Sequence, residues 1–152
     1  MPEIARLKQS VGNFVSSRRL TVDWGLCDPA GIVFNSRFFE FFDEGTWMLF
    51  ETALGVPRAN LFTCYDIMGI PLVDARARFL VPIQFGETVA MTSQVAEFRR
   101  SSFDVDHRLT VDGALAVEGR ETRVWATSAR DDPARIKAKP IPADVIERFR
   151  SC

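Results

Sequence analysis

The chain has 152 residues, of which 47% are hydrophobic and 26% are charged, and its formal net charge is −1. This balance is typical of a globular domain with a real core, and it argues against binding to nucleic acid or to an anionic membrane surface. No apolar run approaches the length of a membrane span. Three cysteines (Cys27, Cys64 and Cys152) show no CxxC pair and no metal-ligand spacing with the one histidine, His107. We therefore expect reduced thiols and a cytoplasmic protein.

The first half of the chain predicts a strand followed by a long helix. Residues 1–17 are polar and are expected to form an N-terminal arm. Alternating apolar residues up to Trp24 then predict a half-buried strand. From Asn35 to about Leu54, apolar residues cover nearly every face of a helix that Asn35 or Ser36 can cap. Such a helix has to be surrounded by protein, so we expect a sheet that curls around it.

The second half of the chain predicts a short helical segment and then four strands. The helical segment lies around residues 58–67, and residues 142–149 predict a terminal helix or turn. The strands occupy approximately residues 73–79, 87–98, 102–111 and 114–126, with Asp112-Gly113 as a tight hairpin turn. Consecutive strands with short connections pair antiparallel. We therefore predict one α+β domain over residues 1–152, in which a five-stranded antiparallel sheet wraps around one long central helix and residues 133–152 form a C-terminal segment.

Three stretches of the sequence resemble one known family. Between the first strand and the helix lies Cys27-Asp28-Pro29-Ala30-Gly31-Ile32-Val33. This stretch and the order of elements resemble the hotdog fold, and more narrowly the 4-hydroxybenzoyl-CoA thioesterase family. The segments Glu97 to Phe103 and Arg135 to Asp144 resemble the family's basic hairpin and its C-terminal segment. The matches occur in the expected order, over roughly residues 18–146.

The resemblance implies an acyl-CoA thioesterase and a set of site residues. In the family, the aspartate matching Asp28 is the catalytic carboxylate, and the backbone N–H at the position of Asn35 polarises the thioester carbonyl. The acid matching Asp43 lies near the acyl ring in some members. Basic residues lie where CoA phosphates bind, and they match Arg99, Arg100, Arg135 and Lys137. The family's active sites form between two subunits of a dimer, dimers often pair into tetramers, and no cofactor is implied beyond the coenzyme A of the substrate.

The residues themselves are consistent with this chemistry. Thioester hydrolysis needs a group that attacks the carbonyl carbon or activates water, and it needs donors for the developing oxyanion. The first N–H groups of a helix have no internal partner and can be such donors. Asp28 supplies a carboxylate that can act as nucleophile or as general base. By their proximity to the helix start, three residues are candidates for an apolar acyl slot: Phe34, Phe38 and Phe42.

Each of these residues also has a simpler interpretation. Asp28 can cap a turn, and the basic pairs can be solvated surface charges. His107 lies on the apolar face of its strand and is expected to be a hydrogen-bonded core residue. Asp43, inside an apolar helix, is expected to be ion-paired, at an interface or facing the ligand.

Alternatives to an acyl-CoA thioesterase with an aromatic or medium-length acyl group also exist. The same fold can hydrolyse thioesters of an acyl carrier protein, or it can bind acyl-CoA without catalysis. A hotdog hydratase is a weaker alternative, because it would need a histidine near the helix start. The expected partners are an acyl-CoA and further copies of the chain, in a dimer or tetramer, with neither nucleic acid nor membrane.

Overall fold

The structure is a computed structural model, and it describes residues 14–150. Most of the predicted N-terminal arm lies outside this range, but the first strand already begins within the arm, at Val15. The helices are α1 (Asn35–Leu54), α2 (Arg58–Tyr65) and α3 (Ala143–Arg148). The strands are β1 (Val15–Thr21), β2 (Leu72–Phe79), β3 (Thr88–Phe98), β4 (Ser102–Val111), β5 (Ala114–Val124), β6 (Ala126–Ser128) and β7 (Ile136–Ala138).

The five long strands form one antiparallel sheet, as predicted, and their order in the sheet is β1-β3-β4-β5-β2. The turn between β4 and β5 is Asp112-Gly113, and both residues have positive φ angles, of 50° and 79°. This is the conformation that Asp-Gly favours in a two-residue hairpin. The strands β1 and β2 are the two edges of the sheet. The small ribbon of β6 and β7 was not predicted, because strands of three residues carry too little pattern.

One face of the sheet is covered by α1, and its side chains form two apolar clusters along the helix. Around the N-terminal half of α1, Phe38 and Phe42 pack with residues such as Val89. Around the C-terminal half, Phe50 packs with residues such as Phe103. The helix therefore runs approximately along the strands, with its start and its end at opposite ends of the sheet.

Gly45 explains how closely α1 approaches the sheet. A Cβ atom at this position would lie 2.1 Å from Met91 Cε and 2.7 Å from Ser93 Oγ. Any larger residue would push the helix away from β3 or displace these side chains. The glycine in the middle of α1 therefore serves the close packing of helix against strand.

The helix is covered less completely than its sequence predicts. Its buried residues lie on the side that faces the sheet, whereas Phe39 is 38% exposed and Asp43 lies on the same open side. Trp24, predicted to continue the first strand inward, is 60% exposed because the chain turns into a short 3-10 helix at Trp24–Leu26. Each of these rings keeps one aromatic contact, Phe39 with Phe42 and Trp24 with Phe85, and the rest of its surface is exposed within one protomer.

Candidate active site

The turn before α1 holds the carboxylate of Asp28 in a defined position. The N–H of Ala30 donates to Asp28 Oδ1 at 2.8 Å, and the N–H of Gly31 donates to the Asp28 carbonyl at 2.9 Å. Gly31 has a φ of 77°, which a residue with a side chain rarely adopts. Among residues 14–150, nothing hydrogen-bonds to Asp28 Oδ2. The turn thus fixes one oxygen of a half-buried carboxylate and leaves the other available.

The start of α1 directly follows this turn and has no side-chain cap. The N-cap residue is Phe34 rather than the predicted Asn35 or Ser36, since Phe34 keeps an extended backbone and donates its N–H to the Leu26 carbonyl at 2.9 Å. Asn35 is therefore the first helical residue. The N–H groups of Asn35 and Ser36 have no intrahelical acceptor, which is general for the first turn of a helix. Together they can donate to an oxygen that carries developing negative charge.

The three phenylalanines predicted for the acyl slot occupy different environments. Phe34 is 48% exposed at the helix start. Phe38 is buried, and its ring centroid lies 5.3 Å from that of Phe79 at the end of β2, which is itself half exposed. Phe42 is completely buried and stacks on the ring of His107 with centroids 5.0 Å apart. Phe42 is therefore a core residue of the protomer, and only Phe34 presents a large surface to a ligand.

The predicted basic residues lie at the other end of the molecule. The segment 99–101 joins β3 to β4, beside the cluster around Phe50 and Phe103 at the C-terminal half of α1. The Ile141 N–H donates to the Arg100 carbonyl at 2.8 Å, which brings the C-terminal segment to the same place. A 20-residue helix is about 30 Å long, so one protomer keeps these residues far from Asp28.

The four basic residues also differ in how strongly they are engaged. Arg99 forms two hydrogen bonds with Asp104, at 2.7 and 3.0 Å, and these bonds hold the pKa of Asp104 below its usual value. Arg135 pairs with Asp131 at 3.3 Å. Within the described part of the chain, Arg100 and Lys137 form no ion pair and remain free for a ligand.

Asp43 is ion-paired within the protomer, which is one of its three predicted environments. Arg123 Nη2 donates to Asp43 Oδ1 at 2.8 Å. The Arg123 side chain is 4% exposed and that of Asp43 is 54% exposed, so the pair joins the interior to the open side of α1. A ligand on that side of α1 would still find an accessible carboxylate.

A buried polar network lies behind this pair. His107 is the one member of the network that the sequence predicted as a hydrogen-bonded core residue. Arg123 also donates to both oxygens of Glu121, at 2.7 and 3.3 Å, and to the Ile70 carbonyl at 3.1 Å. Burial alone would raise the pKa of Glu121, but hydrogen bonds from His107 and Arg123 outweigh burial and lower that pKa to about 2. Glu121 is therefore a carboxylate inside the core.

His107 completes the network as the hydrogen-bonded core residue that was predicted. Its Nε2 lies 3.0 Å from Glu121 Oε1, and its Nδ1 lies 2.8 Å from Ser93 Oγ. The hydroxyl of Thr46 on α1 donates to the same Glu121 oxygen. Because a carboxylate only accepts hydrogen bonds, Nε2 is the nitrogen that carries the donated proton. The network thereby ties α1 to β3, β4 and β5.

The described residues form neither a metal site nor a membrane-spanning helix. Within residues 14–150, no three His, Cys, Asp or Glu side chains are grouped so that they could hold a metal ion. No helix in the same range is both long and apolar enough to cross a bilayer.

The family follows from comparison with known proteins. Residues 22–149 match the family model of the thioesterase-like superfamily. The chain belongs to the thioesterase-like superfamily. Among curated proteins, this superfamily member is similar to the 4-hydroxybenzoyl-CoA thioesterase of Pseudomonas sp. (strain CBS-3), with 30% identity over 131 residues that cover 83% of this chain and 91% of the relative.

Solved structures of thioesterases have the same fold as this superfamily member. The solved structure of the 4-hydroxybenzoyl-CoA thioesterase from the same Pseudomonas strain superposes with a TM-score of 0.80 and 25% identity, covering 88% of this chain and 98% of that one. A point mutant of 4-hydroxybenzoyl-CoA thioesterase, complexed with 4-hydroxybenzoyl-CoA, gives a TM-score of 0.81 at 25% identity, covering 89% and 98%. A gentisyl-coenzyme A thioesterase gives 0.73 at 30% identity, covering 86% and 98%.

These findings confirm three predictions from the sequence. The family is that of 4-hydroxybenzoyl-CoA thioesterase-like proteins, the protein is a thioester hydrolase, and its fold is the hotdog fold with a five-stranded antiparallel sheet. The roles of individual residues stay predictions.

Proposed function

We propose that the protein hydrolyses an acyl-CoA thioester with an aromatic acyl group, at the junction of the Asp28 turn and the start of α1. The single observation that carries this proposal is the juxtaposition of a half-buried carboxylate with one free oxygen and a helix start that no side chain caps. The related 4-hydroxybenzoyl-CoA and gentisyl-coenzyme A thioesterases support a hydroxylated aromatic acyl group.

The proposed reaction divides the work between backbone and side chain. The thioester oxygen accepts hydrogen bonds from the N–H of Asn35 and its neighbour, which stabilise the tetrahedral oxyanion as it forms. Asp28 then either attacks the carbonyl carbon, giving an anhydride that water cleaves, or deprotonates the attacking water. In both routes the C–S bond breaks, coenzyme A leaves as the thiol or thiolate, and the acid product is released.

A dimer would complete the site. Among residues 14–150, the edge strand β2 pairs with β5 alone. Large apolar side chains on and beside β2 are exposed: Leu72, Val73, Phe79, Leu80 and Val81. An unpaired apolar edge of this kind favours pairing with another chain. Two copies of β2 related by a two-fold axis would pair antiparallel and extend the sheet. The two α1 helices would then lie antiparallel on one face of the extended sheet, and the space beside their open sides, where Phe39 is exposed, would receive the acyl group.

The same arrangement would bring together residues that one protomer keeps apart. The Asp28 end of one subunit would lie at the same end of the extended sheet as the 99–101 loop and C-terminal segment of its partner. Arg100 and Lys137 have no ion-pair partner among the described residues, so these two are the proposed contacts for CoA phosphates. Arg99 and Arg135 are each already engaged by a carboxylate and are assigned a supporting role.

The test is hydrolysis of 4-hydroxybenzoyl-CoA, followed by detection of the released CoA thiol. Asp28→Asn keeps the shape of the side chain but removes the base or nucleophile, so we expect kcat to fall by about 10²–10⁴-fold with little change in binding. Asp23→Asn is the matched control, because Asp23 precedes the same turn and its side chain caps nothing.

Three outcomes would contradict the proposal. Equal rates for wild type and Asp28→Asn would remove Asp28 from the reaction. Binding of CoA esters without hydrolysis would favour a non-catalytic binding module. Faster turnover of the same acyl group on an acyl carrier protein would favour the carrier-bound substrate.

A further inference from the structure

We propose that Arg123 is a positioning residue for acyl-group recognition, because it holds the Asp43 carboxylate so that one oxygen faces the substrate. The inference rests on the proposed function, in which the acyl group lies on the open side of α1. Arg123 lies in the interior and touches no substrate itself. Its influence would be exerted through Asp43, and its own place is set by Glu121.

Asp43 lies on the same side of α1 as the helix start. Asn35, Phe39 and Asp43 are spaced four residues apart, so they share one side of α1. Asp43 lies eight residues, or about 12 Å, along the axis from Asn35. Helical side chains point back toward the N-terminus, which shortens this distance for the carboxylate. An acyl group held by the oxyanion donors would therefore extend along this side of α1 toward Asp43.

The two oxygens of Asp43 are in different situations. Oδ1 accepts the hydrogen bond from Arg123 at 2.8 Å, whereas Oδ2 receives none from residues 14–150. The side chain is 54% exposed on the open side of α1. An ion-paired carboxylate accepts hydrogen bonds and donates none. The site would therefore favour an acyl ring that carries a hydrogen-bond donor such as a hydroxyl, and it would disfavour a ring that carries a carboxylate.

Arg123 can set this geometry because its own guanidinium is buried and hydrogen-bonded on several sides. It is 4% exposed, and its three nitrogens bind Glu121, Asp43 and the Ile70 carbonyl. The planar fork of arginine gives a fixed direction to each of these bonds, which the single ammonium of lysine does not. Asp43 thus has one partner that is itself anchored from two other sides.

Glu121 is anchored in turn. His107 and Thr46 both bind its Oε1, and Ser93 binds the far side of the His107 ring. These residues come from α1 and from three neighbouring strands, so the network keeps its geometry as long as the sheet and helix stay packed. This explains why a costly buried charge pair would be retained close to a binding site.

The experiment compares kcat/KM for 4-hydroxybenzoyl-CoA with kcat/KM for benzoyl-CoA, which lacks the ring hydroxyl. We expect Asp43→Asn and Arg123→Gln to lower this ratio by about ten- to a hundredfold, which is the range for a hydrogen bond to a charged group. Arg123→Lys keeps the positive charge but loses the planar guanidinium. We expect its ratio of the two kcat/KM values to lie between those of wild type and Arg123→Gln.

A matched control separates positioning from a general effect on the helix. Arg58→Gln removes another arginine that is ion-paired with α1, at Glu44 and Glu51, and it should leave the ratio unchanged. A loss of stability alone would lower both kcat/KM values together and would not change their ratio.

Each outcome bears on either the inference or the proposed function. If the wild type hydrolyses neither ester, the proposed function fails. A different outcome would overturn only the inference about Arg123. In it, both esters are hydrolysed and Asp43→Asn lowers the ratio of the two kcat/KM values, but Arg123→Gln or Arg123→Lys leaves that ratio at the wild-type value. The proposed function would then stand. If Arg123→Gln does not fold, the ratio of Arg123→Lys decides.

Discussion

Replacing Gly119 by alanine should destabilise the protein although it adds only one methyl group. Gly119 lies in β5 and faces α1, where a Cβ atom would stand 2.3 Å from Phe42 Cζ and 2.4 Å from Phe42 Cε2. Carbon atoms in contact need about 3.5–4.0 Å, so the ring would have to withdraw by more than about 1 Å. Phe42 is completely buried and stacks on His107, which Ser93 and Glu121 hold in place.

The size of the effect follows from two opposing terms. Forcing an extra methyl into a packed core costs about 1–3 kcal/mol, and here the upper part of the range applies because the obstacle is a rigid ring. Replacing a strand glycine returns about 0.5–1 kcal/mol of backbone entropy. We therefore expect a net loss of about 2 kcal/mol, which corresponds to a fall in Tm of about 4–8 °C for a chain of this size.

The measurement is urea unfolding at one fixed protein concentration, followed by tryptophan fluorescence. Gly25→Ala is the matched control, because no atom lies within 4 Å of the added Cβ there. If Gly119→Ala and Gly25→Ala unfold at the same urea concentration with the same slope, the contact between β5 and Phe42 does not constrain the core, and the reasoning is refuted.

Two further predictions concern acid stability and assembly. The pKa of Glu121 is lowered from 4.5 to about 2, so its ionised form contributes about 3 kcal/mol to the unfolding free energy above pH 4.5, and this contribution is lost as the pH falls toward 2. The unfolding free energy of Glu121→Gln should therefore vary less with pH than that of wild type across this window. Equal pH dependence in the two proteins would contradict the lowered pKa of Glu121. Val73→Lys, on the exposed edge strand β2, should shift the protein to monomers in analytical ultracentrifugation, whereas Val15→Lys on the opposite edge strand β1 should not. If Val73→Lys remains dimeric, β2 is not the dimer interface.

The parts of the fold that could be predicted are those with short-range patterns. Alternation in β4 and the Asp112-Gly113 turn predict a hairpin without knowledge of the rest of the chain, and both φ angles bear this out. The hydrogen bonds that place Asp28 are equally local, since they come from Ala30 and Gly31 of the same turn. The wider segment also bonds to distant residues, with Val33 donating to the Ile83 carbonyl, and these contacts carry no local signal.

The buried network could not be predicted, because its partners are distant in sequence. Thr46 and Glu121 are 75 positions apart, and Asp43 and Arg123 are 80 apart. In β5 the inward positions carry Gly119, Glu121 and Arg123, so the alternation of apolar and polar residues is lost where the network lies. Phe42 was misplaced for a related reason: its closeness to the helix start says nothing about which way its ring points.

The length of α1 has a consequence for experiments with mixed subunits. Within one chain, the helix of about 30 Å separates Asp28 from the cationic residues. In the proposed dimer, each catalytic centre therefore takes Asp28 from one chain and its cationic residues from the other chain. Subunits that carry Asp28→Asn and subunits that carry Arg100→Gln with Lys137→Gln would each form defective homodimers. Hybrids of the two would contain one doubly damaged centre and one undamaged centre, so two inactive preparations would regain activity when their chains are exchanged.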